Sequence, residues 1–236
     1  MKFLKKNACI FKKNLYTYPK VCIFFKKKSI VLKKTVEEAL ETKRSILQSA
    51  LDLFYQKGYS KTTFEEISAR IGLTKGAVYW YFKNKPELVA ALINMYVERK
   101  TAYLNAKVPN LGCFDDIKHY FLATSDYILG DENALKLAFF LSLQMEWSQS
   151  IITKVMEKIH ENMAHSFELI KDALLDMQKN GQIRDDTDAA LIAEIIFNSW
   201  TGNLEAFFSK RSSTDLKIMI EKSFDLLFNG LIKKKD

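Results

Sequence analysis

The sequence predicts an all-α fold class, and its composition supports that prediction in three ways. The 236 residues include only eight glycines and three prolines, too few for a turn-rich β protein. Leu, Ile, Ala, Lys and Glu are abundant, and this mixture favours helices. The hydrophobic content of 48% is enough for a sizeable core and excludes collagen-like and wholly disordered chains. No apolar run approaches the roughly 18 residues of a membrane-spanning helix.

Positive charge is concentrated at the start of the chain. Residues 1–34 contain eleven lysines and no acid, whereas residues 35–236 contain 25 basic and 28 acidic side chains. The body of the protein is therefore slightly acidic, and nucleic-acid binding would require a local basic patch. The apolar run 21–25 is too short for a signal peptide. Residues 1–34 are predicted to be a disordered basic extension or the product of a misplaced start codon. The alternative is an arm that contacts DNA phosphates.

From Val36 the pattern becomes amphipathic, and the first helix is predicted to end at Gly58. Thr63 begins a second helix with a capping box. A short third helix follows Thr74. Asn84 begins a fourth, whose first turn contains a proline where the missing N–H costs nothing.

Pro109 and Gly112 then interrupt the helical pattern, and a domain boundary is predicted at 107/108. Five more helices are predicted: 113–129, 133–148, 151–179, 187–210 and 214–231. The segment 135–147 is ambiguous, because every second residue is apolar as in a strand. It contains no β-branched residue, so a largely buried helix is predicted.

Residues 64–82 have the spacing of a helix–turn–helix, with Gly72 in the tight turn. The window 70–85 contains four basic residues and no acid. Because an α-helix fits the major groove of B-DNA and reaches the base edges with its N-terminal residues, this window predicts DNA binding. Lys75 can donate to guanine, Gly76 lets the backbone approach, and Ala77 can contact a thymine methyl group.

Residues 74–88, TKGAVYWYFKNKPEL, resemble the DNA-binding signature of the tetracycline-repressor (TetR) family. The similarity covers residues 33 to about 100, and residues 33–44 resemble the multidrug-efflux repressors of the acriflavine type. The family's base contacts would fall on Lys75, Gly76 and Ala77. Its phosphate contacts would fall on Thr63, Thr74, Tyr79, Trp80, Tyr81 and Lys85. Tyr81 stands where the family most often has His, but a phenol can also donate to phosphate. The residue pattern leaves open whether Trp80 packs in the core or contacts a partner.

The resemblance implies a helix–turn–helix DNA-binding domain with a connecting helix at 35–107, and a ligand-binding and dimerisation domain at 108–236. It implies a homodimeric repressor that binds a palindromic double-stranded DNA operator. A small apolar or aromatic inducer would release it, and it would control multidrug efflux. The alternatives are a regulator of lipid or acyl-thioester metabolism with the same fold, and a helical adaptor that does not bind DNA.

The last two predicted helices carry apolar stripes wider than one buried face requires, so each is expected to face both its own core and a partner. The resemblance implies a four-helix dimer interface. The candidate interface residues are Leu191, Ile195, Phe208, Leu216, Ile220, Phe224, Leu227 and Phe228. The alternative is one thick monomeric core.

Aromatic and Met residues concentrate between positions 114 and 208 and could line an adaptable apolar pocket, which the resemblance implies. For any single residue, core packing is the competing role. The candidates are Phe121, Tyr127, Phe139, Met145, Trp147, Met163, Phe167, Phe197 and Trp200.

An enzyme is the competing class. His160 and His165 lie about 140° apart around a helix, so they do not share a face for a metal. Nucleophile elbows, phosphate loops and dinucleotide fingerprints do not occur in the sequence. The cysteines are too widely spaced for a disulfide framework or a zinc site, which favours a reducing cytoplasm. The sequence therefore predicts a cytoplasmic protein without catalytic activity, metal or cofactor.

Overall fold

The structure is a computed structural model that describes residues 29–145 and 165–232, and these residues are almost entirely helical. The nine α-helices among them are α1 Ser29–Lys57, α2 Phe64–Arg70, α3 Lys75–Tyr81, α4 Lys85–Lys107, α5 Phe114–Gly130, α6 Glu132–Phe139, α7 at 165–179, α8 Ala189–Phe208 and α9 Leu216–Leu231. A π-helical turn, Phe140–Gln144, continues α6. The all-α fold class is confirmed. Contacts divide the chain into two units, Met1–Ala39 and Leu40–Asp236, and the helix–turn–helix and both hydrophobic cores lie in the second.

The helix boundaries differ from the prediction mainly at the start of α1 and at the end of α6. Helix α1 begins at Ser29, so residues 29–34 are helical and do not belong to a disordered extension. The rest of that extension, 1–28, lies outside the described residues. Helix α6 ends at Phe139, and the π-helical turn Phe140–Gln144 follows it where the prediction continued the helix; residues 146–148 of that predicted helix lie outside the described residues. Of the predicted helix 151–179, the part from 165 onward is described and helical.

Local capping interactions begin the three helices of the DNA-binding motif as predicted. The Thr63 hydroxyl accepts from the Glu66 N–H at 3.3 Å, and the Glu66 carboxylate accepts from the Thr63 N–H at 3.0 Å, which is a complete capping box. The Thr74 side chain caps α3 by accepting from the Ala77 N–H, and the Asn84 side chain caps α4 by accepting from the Glu87 N–H. Gly72, with φ of 68°, makes the turn between α2 and α3.

One buried cluster lies beneath the helix–turn–helix unit (residues 64–82) and centres on Phe54 of α1. The Phe54 ring stacks on Phe140 at 4.8 Å between centroids and contacts Tyr59 at 5.8 Å. Met145 and Leu137 belong to the same cluster. Helix α6 and its π-helical turn therefore complete the core beneath α1.

The second cluster is formed by α5, α7, α8 and α9. Phe121 of α5 contacts Phe197 at 5.2 Å and Phe224 at 5.1 Å. Four predicted interface residues belong to this core and are at most 5% exposed: Leu216, Ile220, Phe224 and Phe228. The face of α9 that carries them packs on its own subunit, and their part in a dimer interface stays a prediction.

Among the described residues, no helix combines the length and the hydropathy needed to cross a lipid bilayer.

The burial on α9 predicts a sharp contrast between two neighbouring residues. Phe224→Ala should lower the free energy of unfolding by about 3–5 kcal/mol, because it leaves a cavity in the core. The Lys222 side chain is 74% exposed on the same helix, so Lys222→Ala should change this free energy by less than about 0.5 kcal/mol. Urea unfolding followed by circular dichroism measures both, and equal effects would contradict the assignment of the two faces.

Candidate nucleic-acid interface and ligand region

Helix α3 presents most of the predicted contact residues to solvent. Tyr79 is 48% exposed and Trp80 is 68% exposed, whereas Val78 of the same helix is fully buried. Lys75 and Gly76 are also exposed. The question left open for Trp80 is thus answered, since a core residue would not expose two thirds of its surface.

Contacts beneath the surface hold α3 in place. The Tyr79 ring packs edge-on against the buried Phe64 of α2, with 4.8 Å between centroids. The Leu73 N–H donates to the Ser68 carbonyl at 2.9 Å across the turn. The Ser49 hydroxyl of α1 donates to the Ile67 carbonyl at 3.1 Å, which attaches α2 to α1. The outward side chains of α3 therefore stand on a packed support.

Gly76 leaves an open space on this surface. A Cβ built at this position meets Thr74 Oγ1 at 3.9 Å and no other nearby atom. The packing of the chain thus does not demand glycine here. A flat surface at this point is what close approach of another molecule requires.

The surface is less basic than its sequence predicts, because neighbouring helices contribute acids. Lys75 forms an ion pair with Glu65 of α2, which raises the pKa of Lys75 and lowers the pKa of Glu65. The Arg70 guanidinium lies 3.4 Å from a carboxylate oxygen of Asp52 on α1. Two of the four positive charges in the window 70–85 are therefore paired.

Lys85 serves an internal contact that the sequence did not reveal. Its ammonium donates to the Tyr59 carbonyl at 2.7 Å and lies 4.3 Å from the centroid of the Tyr59 ring. Burial raises the pKa of Tyr59. Lys85 thus fastens the start of α4 to the turn after α1, and its phosphate contact stays a prediction.

Three further lysines lie near these elements, and the sequence analysis named none of them as a DNA contact. Lys61 and Lys83 are exposed in the segments that flank α2 and α3. The Lys43 ammonium of α1 lies 5.8 Å from the centroid of the Phe82 ring, at the end of α3. The position of Lys43 follows from the packing of α1, and no local motif indicates it.

The predicted pocket residues do not form one group. Phe121 lies 5.6 Å from Trp200 between ring centroids, and Phe167 and Phe197 are 5.9 Å apart in the same cluster. The Trp200 Nε1 is buried without an acceptor among the described residues. An unsatisfied buried donor is costly, so this cluster is the part of the prediction that best fits a ligand.

The other predicted pocket residues lie elsewhere. Tyr127 contacts Tyr96 and Tyr103 of α4, each at 5.5 Å between centroids. Phe139 packs on Tyr55 of α1 at 5.1 Å, and Met145 belongs to the core around Phe54. Phe139 and Met145 lie there because α6 and its π-helical turn pack against α1, and the ligand role of all three residues stays a prediction. Trp147 and Met163 lie outside the described residues.

The described part of the second unit contains a small void and a larger cleft. A void of about 10 Å³ lies between α4, α5 and α6 and is lined by Tyr96 and Tyr127. A cleft of about 400 Å³ lies at the start of α5 and the end of α9, with Phe114 and Phe228 on its wall. Neither cavity is lined by Trp200 or its aromatic neighbours.

Two of the eight predicted interface residues are exposed. Leu191 is 49% and Ile195 is 43% exposed, one turn apart on α8. Phe208 and Leu227 are half-buried. Helix α9 adds Ile218 at 50% and Leu226 at 76%, which the sequence prediction did not include.

Polar contacts join the helix–turn–helix side of the molecule to α6. The Lys136 ammonium of α6 donates to one carboxylate oxygen of Asp52 at 2.9 Å, and the other oxygen faces Arg70. The Gln48 amide of α1 donates to Asn133 at 2.8 Å. Movement of α6 therefore disturbs contacts of both α1 and α2.

The fold and the exposed face of α3 define a helix–turn–helix DNA-binding regulator. Residues 46–92 match the family described as "Bacterial regulatory proteins, tetR family". Residues 46–92 thus carry the N-terminal DNA-binding domain of tetR-family regulators, and the relatives that follow are regulators or repressors.

Similar proteins extend the match beyond this domain. The HTH-type transcriptional regulator TtgR of Pseudomonas putida is 27% identical over 200 residues, which are 83% of this chain and 93% of TtgR. The probable acrEF/envCD operon repressor of Escherichia coli K12 is 25% identical over 78% of this chain and 84% of the repressor. The fatty acid metabolism regulator protein of Bacillus subtilis is 22% identical over 80% of this chain and 95% of that protein.

A solved structure shares the fold along the chain. It is the crystal structure of NalD, the secondary repressor of the MexAB-OprM multidrug efflux pump in Pseudomonas aeruginosa. The TM-score is 0.69 at 21% identity, and the match covers 84% of this chain and all of that chain, 100%.

Proposed function

We propose that this protein is a cytoplasmic, homodimeric repressor that binds a palindromic operator and leaves it when an aromatic inducer binds. It controls multidrug efflux and acts without a cofactor or catalytic activity. Residues 35–107 bind DNA, and residues 108–236 hold the ligand and the partner subunit. The observation that carries this proposal is the face of α3, where exposed Tyr79 and Trp80 stand beside the open space at Gly76.

The chemistry of α3 supports the DNA contacts. Its first residues can reach base edges in the major groove, where Lys75 donates to guanine and Ala77 touches a thymine methyl group. The hydroxyls and the indole N–H that surround them can hold phosphates and set the register. These phosphate-contact candidates are Thr63, Thr74, Tyr79, Trp80, Tyr81 and Lys85.

Exposed apolar residues support the dimer. Leu191 and Ile195 on α8 stand in one line, and Ile218 and Leu226 add apolar surface on α9. A cluster of large exposed apolar side chains is typical of a protein–protein interface. Two subunits joined through α8 and α9 would place two α3 helices in successive major grooves of a palindrome.

The aromatic cluster around Trp200 supports binding of an aromatic ligand. The contacts of α6 with α1 support a coupling between that ligand and DNA binding. A ligand that displaces α6 would strain the Asp52 contacts and the stacking of Phe54 on Phe140. It can shift the equilibrium only as far as its affinities for the free and the bound conformation differ. The NalD likeness favours an efflux role, whereas the B. subtilis relative favours fatty-acid regulation. Release by hydrophobic drugs but not by long-chain acyl thioesters would decide for efflux.

The first test concerns the bases that Lys75 reads. Lys75→Ala should weaken binding to a duplex selected from a random pool by roughly 5- to 100-fold, and should relax selection at one base pair. Fluorescence anisotropy with the selected and single-mismatch duplexes measures both effects. Lys210→Ala is the control, because Lys210 follows α8 and lies outside the helix–turn–helix. An unchanged preference at every base pair would contradict the role of Lys75.

The second test concerns the dimer. Ile195→Asp should give monomers in sedimentation equilibrium, because a carboxylate buried in an apolar interface costs several kcal/mol. These monomers should retain their helical content and lose most operator affinity. Leu40→Asp, a matched change at a residue 45% exposed on α1, should remain dimeric. A dimeric Ile195→Asp variant would exclude this face.

The third test concerns the ligand. Trp200→Phe keeps an aromatic ring but removes the buried N–H donor. It should weaken binding of an aromatic inducer that carries an acceptor by about fivefold, the usual worth of one hydrogen bond. An inducer without an acceptor should bind as before. Trp80→Phe is the control, and calorimetry should find its ligand affinity unchanged. Equal losses for both inducers would refute a hydrogen bond from Trp200.

A further inference from the structure

Glu65 and Lys75 form a surface ion pair at the junction of two short helices. Glu65 is the second residue of α2, and Lys75 is the first residue of α3. Their side chains remain 55% and 50% exposed, so the pair lies on the surface that α3 presents. Lys75 is also the predicted base contact, and a carboxylate is an unexpected neighbour for a residue that must meet DNA.

We propose that Glu65 is a specificity-determining residue. Its ion pair holds the Lys75 ammonium where it can reach base edges, and weakens the binding of Lys75 to the phosphates of other sequences. The proposal rests on the proposed function, because it assumes that α3 binds duplex DNA. Glu65 would therefore reduce total affinity and increase the preference for the operator.

The geometry restrains Lys75 from two sides. Its ammonium pairs with Glu65 and lies 5.6 Å from the centroid of the Tyr79 ring. The Tyr79 ring packs on Phe64, which directly precedes Glu65. Both contacts of Lys75 therefore lead back to α2. A lysine otherwise has a long flexible stem and can follow any nearby phosphate.

The adjacent acid does not share this role. Glu66 accepts from the Thr63 N–H in the capping box and pairs with Lys57 of α1. Its carboxylate is therefore committed to the start of α2. Glu65 makes no contribution to that cap, so its exchange leaves the capping box intact.

Electrostatics explain the effect on specificity. A carboxylate on the DNA-facing surface is repelled by the phosphates of every duplex, and its pair with Lys75 removes one positive charge from non-specific binding. A duplex with guanine acceptors within reach of Lys75 offsets this loss through base hydrogen bonds. Other duplexes have no such compensation, and specificity often depends on such a repulsive element. The raised pKa of Lys75 and the lowered pKa of Glu65 keep both groups charged near neutral pH.

The test is a double-mutant cycle of the full chain: wild type, Glu65→Gln, Lys75→Ala and the double variant. Dissociation constants are measured for a duplex selected from a random pool and for its scrambled version, at several KCl concentrations. Glu65→Gln should release Lys75 for one more phosphate contact, which steepens the slope of log K against log[salt] by about 0.9. At 0.1 M salt, this slope corresponds to about eightfold tighter binding to the scrambled duplex. The selected duplex should gain less than about threefold, so the ratio of the two constants falls.

The double variant identifies the cause. Without Lys75, the change Glu65→Gln should alter both duplexes equally and leave the ratio unchanged. Glu168→Gln, the same charge change in a surface ion pair with Lys171 on α7, should affect neither duplex. Circular dichroism and thermal unfolding confirm that each variant folds.

Two results would overturn the inference: an unchanged ratio in Glu65→Gln, or the same fall in the ratio with and without Lys75. Both leave the proposed function intact, because the wild type still prefers the selected duplex. A wild type that selects no duplex from the pool would refute the proposed function itself.

Discussion

The helix–turn–helix unit depends on the stacking of Phe54 against Phe140. The rings lie 4.8 Å apart and 10° from parallel, and both side chains are fully buried. Phe54 belongs to α1, whereas Phe140 begins the π-helical turn after α6. The core beneath α2 and α3 is therefore closed by a segment that follows the connecting helix α4. Because cores are close-packed, displacement of that segment alters the support of α3.

Polar contacts reinforce the same connection. Asp52 offers one carboxylate oxygen to Lys136 of α6 and the other to Arg70 of α2. Loss of either partner would leave a partly buried carboxylate poorly compensated. Ring stacking at Phe54 and the ion pairs of Asp52 act within one turn of α1, on residues two positions apart. They give α6 two independent points of contact with the elements that position α3, which suits a switch between two packed arrangements.

The charged surface shows how tertiary structure moderates a basic sequence. Lys75 meets Glu65, Arg70 meets Asp52, and Lys85 donates to a backbone carbonyl. Because non-specific binding grows with every unpaired cation near the phosphates, internal pairing favours selectivity over total affinity. The exposed rings of Tyr79 and Trp80 on α3 supply contact area that does not depend on unpaired positive charge.

The amino-acid sequence determined the interactions that form within a few residues. Thr63, Thr74 and Asn84 cap the helices where their spacing predicted, because a cap joins a side chain to a backbone N–H two or three positions later. The packing of distant helices decided which groups Lys75 and Lys85 contact. It also decided that α6 ends at Phe139, within the ambiguous segment. The two faces of α9 show the reason: apolar periodicity reveals that a face is covered, but not by what. Only the packed structure decided that Phe224 faces its own core and that Leu226 faces outward.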